Sequence, residues 1–209
     1  MSGTNFPLFL LAALVIAAVP GPGIFYVAAR TLAGGSKAGI ASTFGTAVGG
    51  LVHVIAGGLG VSAIILASAE LFAALKFAGA IYLIWLGIRT FREARHLLPE
   101  QIAPVGSKRA FRDGVLVEAL NPKTAAFFLA FIPQFLDPAG NYPALQFMTL
   151  GLVSVVLNTL VDFIVVLMAS TAQSGLVRRP RLFQRLRQGS GLFIAGLGVS
   201  LALARRPAS

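Results

Sequence analysis

Pro20-Gly21-Pro22-Gly23, His53, Glu118 with Asn121-Pro122-Lys123, and Asn158 with Asp162 are polar or backbone-breaking residues set inside long apolar runs. Their types suit recognition better than bond-making. A proline within a helix removes one amide donor and strips the partner from the carbonyl four residues earlier. The amides of Gly21, Gly23 and Ile24 are then candidates to meet an acceptor. A helix start presents partial positive charge that suits a carboxylate, whereas freed carbonyls and an acid such as Asp162 suit an ammonium group. One pocket built from these groups would grip both ends of a zwitterion. Lys123 could join at the carboxylate end; neutralising Glu118, five residues earlier, is the alternative and the reading slightly preferred.

Catalysis finds little support. The chain has no cysteine, no G-x-S-x-G and two histidines, His53 and His96, the second in a charged segment. Nucleophile-and-base chemistry, thiolate metal sites and a haem held between facing histidines are therefore not expected. No catalytic residue, no metal site and no cofactor is assigned.

The elements that must position these residues follow from composition. Of 209 residues 56% are apolar and 11% charged, against roughly 25% charged in soluble domains. The excess of 17 Lys and Arg over 7 Asp and Glu would suit nucleic acid, but a soluble binder does not carry repeated apolar runs of about 20 residues; no nucleic-acid partner is expected. Apolar runs predict spans at about 6–29, 38–67, 70–90, 113–136, 145–172 and 188–204. The sixth is near the short limit, so five spans is the alternative. Met1 to Pro7 contains no Lys or Arg, so the first run is expected to be a retained helix and not a cleaved signal.

Basic residues fall in alternate connections: Arg30 and Lys37; then Arg89, Arg92, Arg95, Lys108, Arg109 and Arg112; then Arg178, Arg179, Arg181, Arg185 and Arg187. The intervening connections offer Lys76 and the stretch from Asp137 to Asn141, which has none. The positive-inside rule places both termini outside, and attraction of the arginines to anionic membrane lipids gives the same orientation. Arg205 and Arg206 count against it, since a cytoplasmic tail implies five spans.

Pro22 and Pro122 lie 100 residues apart, each in the opening span of a three-span half. An odd number of spans per half inverts the second half relative to the first, as in many secondary transporters. The expected fold is an all-α integral membrane protein, six transmembrane helices as two inverted three-helix repeats with helices one and four broken at proline. It forms a single domain over 1–209, with repeats at about 1–92 and 113–209 and a basic cytoplasmic segment between. At about 1.5 Å per residue, Pro20 to Pro22, His53, Asn121 to Lys123, Asn158 and Asp162 share one depth between the midplane and the cytoplasmic side. Ionisable groups there are costly unless paired or wet, so one shared cavity is expected. Gly45, Gly49, His53 and Gly57 form a four-residue stripe, as do Ser154, Asn158 and Asp162. The glycines are read as helix packing, within the chain or between two chains of a homodimer. Asp162 is the foremost candidate for a coupling proton or an ammonium, with His53 and Glu118 behind it.

Pro20-Gly21-Pro22 closing the first apolar run, Lys76-Phe77-Ala78-Gly79-Ala80-Ile81-Tyr82-Leu83 leading to Gly87, and Asn121-Pro122-Lys123 followed by Pro133-Gln134-Phe135 resemble the lysine exporter (LysE/RhtB) family of bacterial amino-acid efflux proteins over nearly the whole chain. The resemblance implies a bacterial inner-membrane carrier that exports an amino acid or derivative, driven by a proton or membrane gradient and not by ATP. It leaves the substrate open. The rival readings are a small-metabolite channel and an exporter of another solute; channels usually draw rings of identical groups from several subunits.

Overall fold

The computed structural model describes residues 5–67, 69–93, 104–137, 142–171 and 180–203. Among the described residues the chain is helical, with short connections and no strand. The helices are α1 (Asn5–Ala18), α2 (Pro22–Ala67), α3 (Ala69–Glu93), α4 (Ser107–Ala119), α5 (Pro122–Ala126), α6 (Pro143–Thr171) and α7 (Pro180–Leu203). Between α5 and α6 the chain winds as a π turn over Phe127–Phe131 and a 3₁₀ turn over Ile132–Phe135. Pro133 cannot donate to the helical ladder, which accounts for the change of winding beside it.

Each of the six predicted stretches coincides with helix, but three boundaries differ. The predicted connection at Arg30 and Lys37 does not exist as a loop. The helix runs on from Pro22 past both residues and bends at Gly35, whose φ of 74° and ψ of −178° lie outside helical geometry. A side chain at Gly35 would meet nothing within 4 Å, so the demand for glycine there comes from the backbone alone. The helices at the fourth and sixth predicted spans start at Ser107 and Pro180, earlier than the apolar runs do. Lys108, Arg109 and Arg112 sit exposed on the added turns of α4; hydropathy finds where a helix turns apolar, not where it begins. Arg95, His96, Arg178, Arg179, Arg205, Arg206 and most of the stretch from Asp137 to Asn141 lie outside the described residues.

Two stretches are long and apolar enough to cross a membrane, Pro22–Gly60 and Pro143–Thr171, and a third is if Ser107–Ala119 and Pro122–Phe135 count as one span bent by 40°. The first has 39 residues, roughly 60 Å of helix at 1.5 Å per residue, about twice a hydrocarbon core. The bend at Gly35 divides it.

Packing follows from small residues and aromatic ones. α2 lies between α4 and α6, α3 pairs with α7, and α1 leans on α6. The α2–α4 crossing is so close that a Cβ on Gly114 would stand 2.9 Å from the Ser42 carbonyl oxygen, and one on Gly49 would stand 2.8 Å from the Glu118 Cβ. This is the close approach that glycine at four-residue spacing permits. An apolar core gathers Phe9 and Ile16 of α1, Val54 of α2, Phe127, Phe128 and Ile132, and Phe147 and Leu150 of α6. Phe9 meets Phe135 edge-on at 5.3 Å and Phe128 meets Phe147 at 6.1 Å, separations at which aromatic pairs attract beyond their buried area. Many large apolar side chains of α2 and α6, such as Leu59, Leu160 and Leu167, face outward. In water that surface would be an association hazard; against lipid it is the expected exterior.

At the start of α4 a polar clasp ties it to the first stretch of α2. Tyr26 donates to the Ala110 carbonyl at 2.7 Å, and the Arg30 guanidinium stands 5.2 Å over the Tyr26 ring. Asp113 takes Arg30 at 3.6 Å, Arg109 at 3.6 Å and Arg112 at 3.5 Å. The carboxylate is partly exposed, so these pairs are screened. Asp113→Asn is expected to cost less than about 1 kcal/mol. In a thermal melt of the detergent-solubilised chain this is a drop in Tm of no more than about 2–4 °C.

Candidate functional site

The two proline breaks meet. Pro20 and Pro22 cannot donate to the carbonyls of Ile16 and Ala18, and Ile16 instead accepts the Val19 amide at 3.2 Å. α1 therefore ends and α2 begins beside it. The second break is built by Asn121, whose side-chain oxygen accepts the Lys123 amide at 3.1 Å and caps α5, with Pro122 at the first helical position. Asparagine before proline is a strong helix start for this reason.

Around the breaks is a small cavity, lined from α2 by Gly23, Thr46 and Gly50, from the second break by Glu118, Asn121, Lys123 and Thr124, from the π turn by Phe128, and from α6 by Val155, Asn158, Thr159 and Asp162. Its free space is about 30 Å³, room for about two waters. Each ionisable group in it is fastened. Glu118 accepts from Thr124 at 2.6 Å and from Asn121 at 2.8 Å. The Lys123 ammonium donates to the Val19 carbonyl at 2.6 Å. Asp162 lies 2.8 Å from the Thr46 hydroxyl. Glu118, Lys123 and Asp162 are all buried. Side chains of this kind are tolerated in an apolar body only when partnered like this.

Thr46 carries a further constraint. Its oxygen is 2.9 Å from the Thr43 carbonyl as well as 2.8 Å from Asp162. A hydroxyl has one proton to give. Against ionised Asp162 it can satisfy only one of the two; against protonated Asp162 it accepts from the acid and donates to Thr43, and both bonds form. The hydrogen bonding at this contact thus depends on a proton. Thr46→Val keeps the shape and removes the hydroxyl, leaving a buried acid without its partner, a loss of about 1–3 kcal/mol. It is expected to impair efflux while Thr46→Ser does not, as read in cells at matched protein abundance.

Of the residues singled out from sequence, Gly21, Gly23, Glu118, Asn121, Lys123, Asn158 and Asp162 line this cavity. Pro20, Pro22 and Pro122 shape it without being among its lining. His53 stands behind it: Nε2 is 2.9 Å from the Glu118 carbonyl oxygen and the ring is 5.6 Å from Phe128. Lys123 reaches a backbone carbonyl, while the side chain of Glu118 is held by Asn121 and Thr124. Asn158 donates to the Ser154 carbonyl at 2.9 Å. The residues that sequence reasoning missed are chiefly Thr46, Thr124 and Thr159. A signal existed for the first: Thr46, Gly50 and His53 are spaced by four and three, which holds a face of a 3.6-residue helix better than the strict four-residue stripe does. That stripe rotates by about 40° per step, so Gly49 faces α4 whereas Gly57 faces the Phe147 ring.

Long apolar helices, an outward apolar surface and a polar cavity at two helix breaks are the features of a membrane protein with an internal site. The chain belongs to the family of LysE type translocators, whose match covers residues 14–205. It is 32% identical over 199 residues to an uncharacterized membrane protein of Vibrio cholerae, covering 94% of this chain and 96% of that one. It is 31% identical over 201 residues to the homoserine/homoserine lactone efflux protein of Salmonella typhimurium, covering 94% and 95%. It is 28% identical over 204 residues to the leucine efflux protein of Klebsiella pneumoniae, covering 95% and 94%. No solved structure matches the chain.

Proposed function

We propose that the protein exports a small amino acid or amino-acid derivative from the bacterial cytoplasm across the inner membrane, by alternating access coupled to protons. The observation that carries this reading is the meeting of the two helix breaks on one cavity with Asp162. The breaks belong to opposite halves of the chain, and a site shared between halves changes shape when one half rocks against the other. The names of the relatives, efflux proteins for homoserine, its lactone and leucine, support a substrate of this class.

In this reading the six helical stretches are six spans in two inverted repeats, at about 1–92 and 113–209, both termini are outside, and the basic segment faces the cytoplasm. Free amides near Gly21 and Gly23, with Asn121 and Lys123, face the substrate's carboxylate; Asn158 and Asp162 face its polar remainder. Pro20, Pro22 and Pro122 hold the breaks open. Asp162 carries the coupling proton, with Glu118 and His53 as the reserve groups. The cavity's small free volume supports a closed resting form that must widen to take substrate.

Efflux from cells preloaded with a panel of labelled amino acids, compared with cells lacking the protein, tests the reading. Saturable loss of one or a few of them is expected. Equal loss in both strains for every amino acid tried would contradict it.

A further inference from the structure

The Lys123 to Val19 contact has a chemistry of its own. Lys123 occupies the second position of α5, where the helix dipole disfavours a cation. Its ammonium crosses instead to the C-terminal end of α1, where the dipole favours one, and donates to the Val19 carbonyl at 2.6 Å. Both residues are buried. On its way the stem lies against residue 21: a Cβ on Gly21 would lie 2.9 Å from Lys123 Cδ and 3.6 Å from Nζ.

We propose that the Val19 carbonyl, which is not itself among the cavity's lining but is reached from it by Lys123, is an ammonium subsite that opens to the transport cavity when Lys123 Nζ, its resident occupant, is displaced by a primary-ammonium substrate. The inference rests on the reading of this cavity as the transport site and names which group of the substrate goes where. A lysine ammonium and the ammonium of an amino acid are the same donor, so a carbonyl that holds one holds the other. The cavity has little free space in this form, so an entering molecule presses on its lining even as the cavity widens. Glu118 is fixed by two hydrogen bonds and Asn121 by its capping role, whereas Lys123 has a flexible four-carbon stem. Once displaced, its ammonium stands beside the incoming molecule's carboxylate, and the charge taken off Val19 is matched by the charge that arrives. Recognition then requires a primary ammonium next to an anion. An N-acetylated amino acid has lost the first and is not accepted.

The test is thermal stability of the purified full-length chain in detergent. Lys123→Ala removes three carbons and the ammonium, and n-propylammonium replaces them. Lys123→Ala is expected to lose stability and to recover a saturable Tm increase of about 2–4 °C with n-propylammonium, not with tetramethylammonium, which has no N–H to donate. The wild type, its subsite filled, is expected to respond to neither. If Lys123→Ala does not fold, Lys123→Ser, which removes the same stem and ammonium, serves in its place and is expected to respond to n-propylammonium in the same way. Absence of a selective response in the folded variant, or an equal response in the wild type, overturns the subsite. The readout needs no transport, so efflux without this response sinks the subsite alone, and the response without efflux sinks the transport reading alone.

Discussion

Asp162→Asn is expected to bring gradient-driven export down to the level of cells lacking the protein, while leaving the chain folded and in the membrane. The amide has the size of the carboxyl and can still bond the Thr46 hydroxyl at the 2.8 Å seen for the acid. What it cannot do is gain and lose a proton. The Thr46 hydroxyl can serve Asp162 and the Thr43 carbonyl together only when the acid brings the proton, so the hydrogen bonds at this contact differ between the two protonation states. An asparagine fixes one arrangement. Efflux and membrane abundance measured side by side check this. Full gradient-driven export by Asp162→Asn would remove the coupling role and turn attention to Glu118, buried in the same cavity, or to His53 behind it.

The second large effect is expected at the α2–α4 crossing. Gly49→Val places a branched side chain where even a Cβ would stand 2.8 Å from that of Glu118 and 2.9 Å from the Ala119 amide nitrogen. The obstacle is mostly backbone, which cannot turn aside as a long side chain can. Overpacking of this kind costs about 1–3 kcal/mol or more, and relief requires α4 to move away from α2. Because Glu118 rides on that turn of α4, the same substitution disturbs the cavity. The expected result is poor recovery of folded protein from membranes and no export from what remains. Gly35→Ala is a contrasting change, since its cost is confined to a backbone φ of 74° and nothing stands near the added methyl group. Size-exclusion profiles of the two variants in detergent distinguish a lost crossing from a strained bend.

Much of the helical architecture was legible because long apolar runs in a chain with few charges leave little choice of structure. The bend at Gly35 was not: Arg30 and Lys37 look like the ends of separate helices, yet a helix continues through both when one glycine absorbs the change of direction. The early starts of α4 and α7 were hidden for the opposite reason, since their first turns carry basic residues, Lys108, Arg109 and Arg112 in α4 and Arg181 and Arg185 in α7. In the site, Glu118, Lys123 and Asp162 stood out because an ionisable residue in an apolar run is conspicuous. Thr46 and Thr124 did not, because a threonine in an apolar helix commonly bonds its own backbone, as Thr31 and Thr159 do here. The partner of Lys123 was out of reach of any spacing rule: Val19 is 104 residues away, and only the meeting of the two breaks brings it near.

The central claim is that this cavity moves an amino acid by exchange of conformations, and the most direct measurement is counterflow. Purified protein in liposomes is loaded with the unlabelled amino acid identified by the efflux panel, and uptake of the labelled form is followed with and without an imposed proton gradient. The expected result is saturable uptake that is stimulated by unlabelled substrate on the other side, responds to the gradient, and loses that response in Asp162→Asn. Flux that rises linearly with concentration and ignores substrate on the far side would mark an open pore and contradict the account.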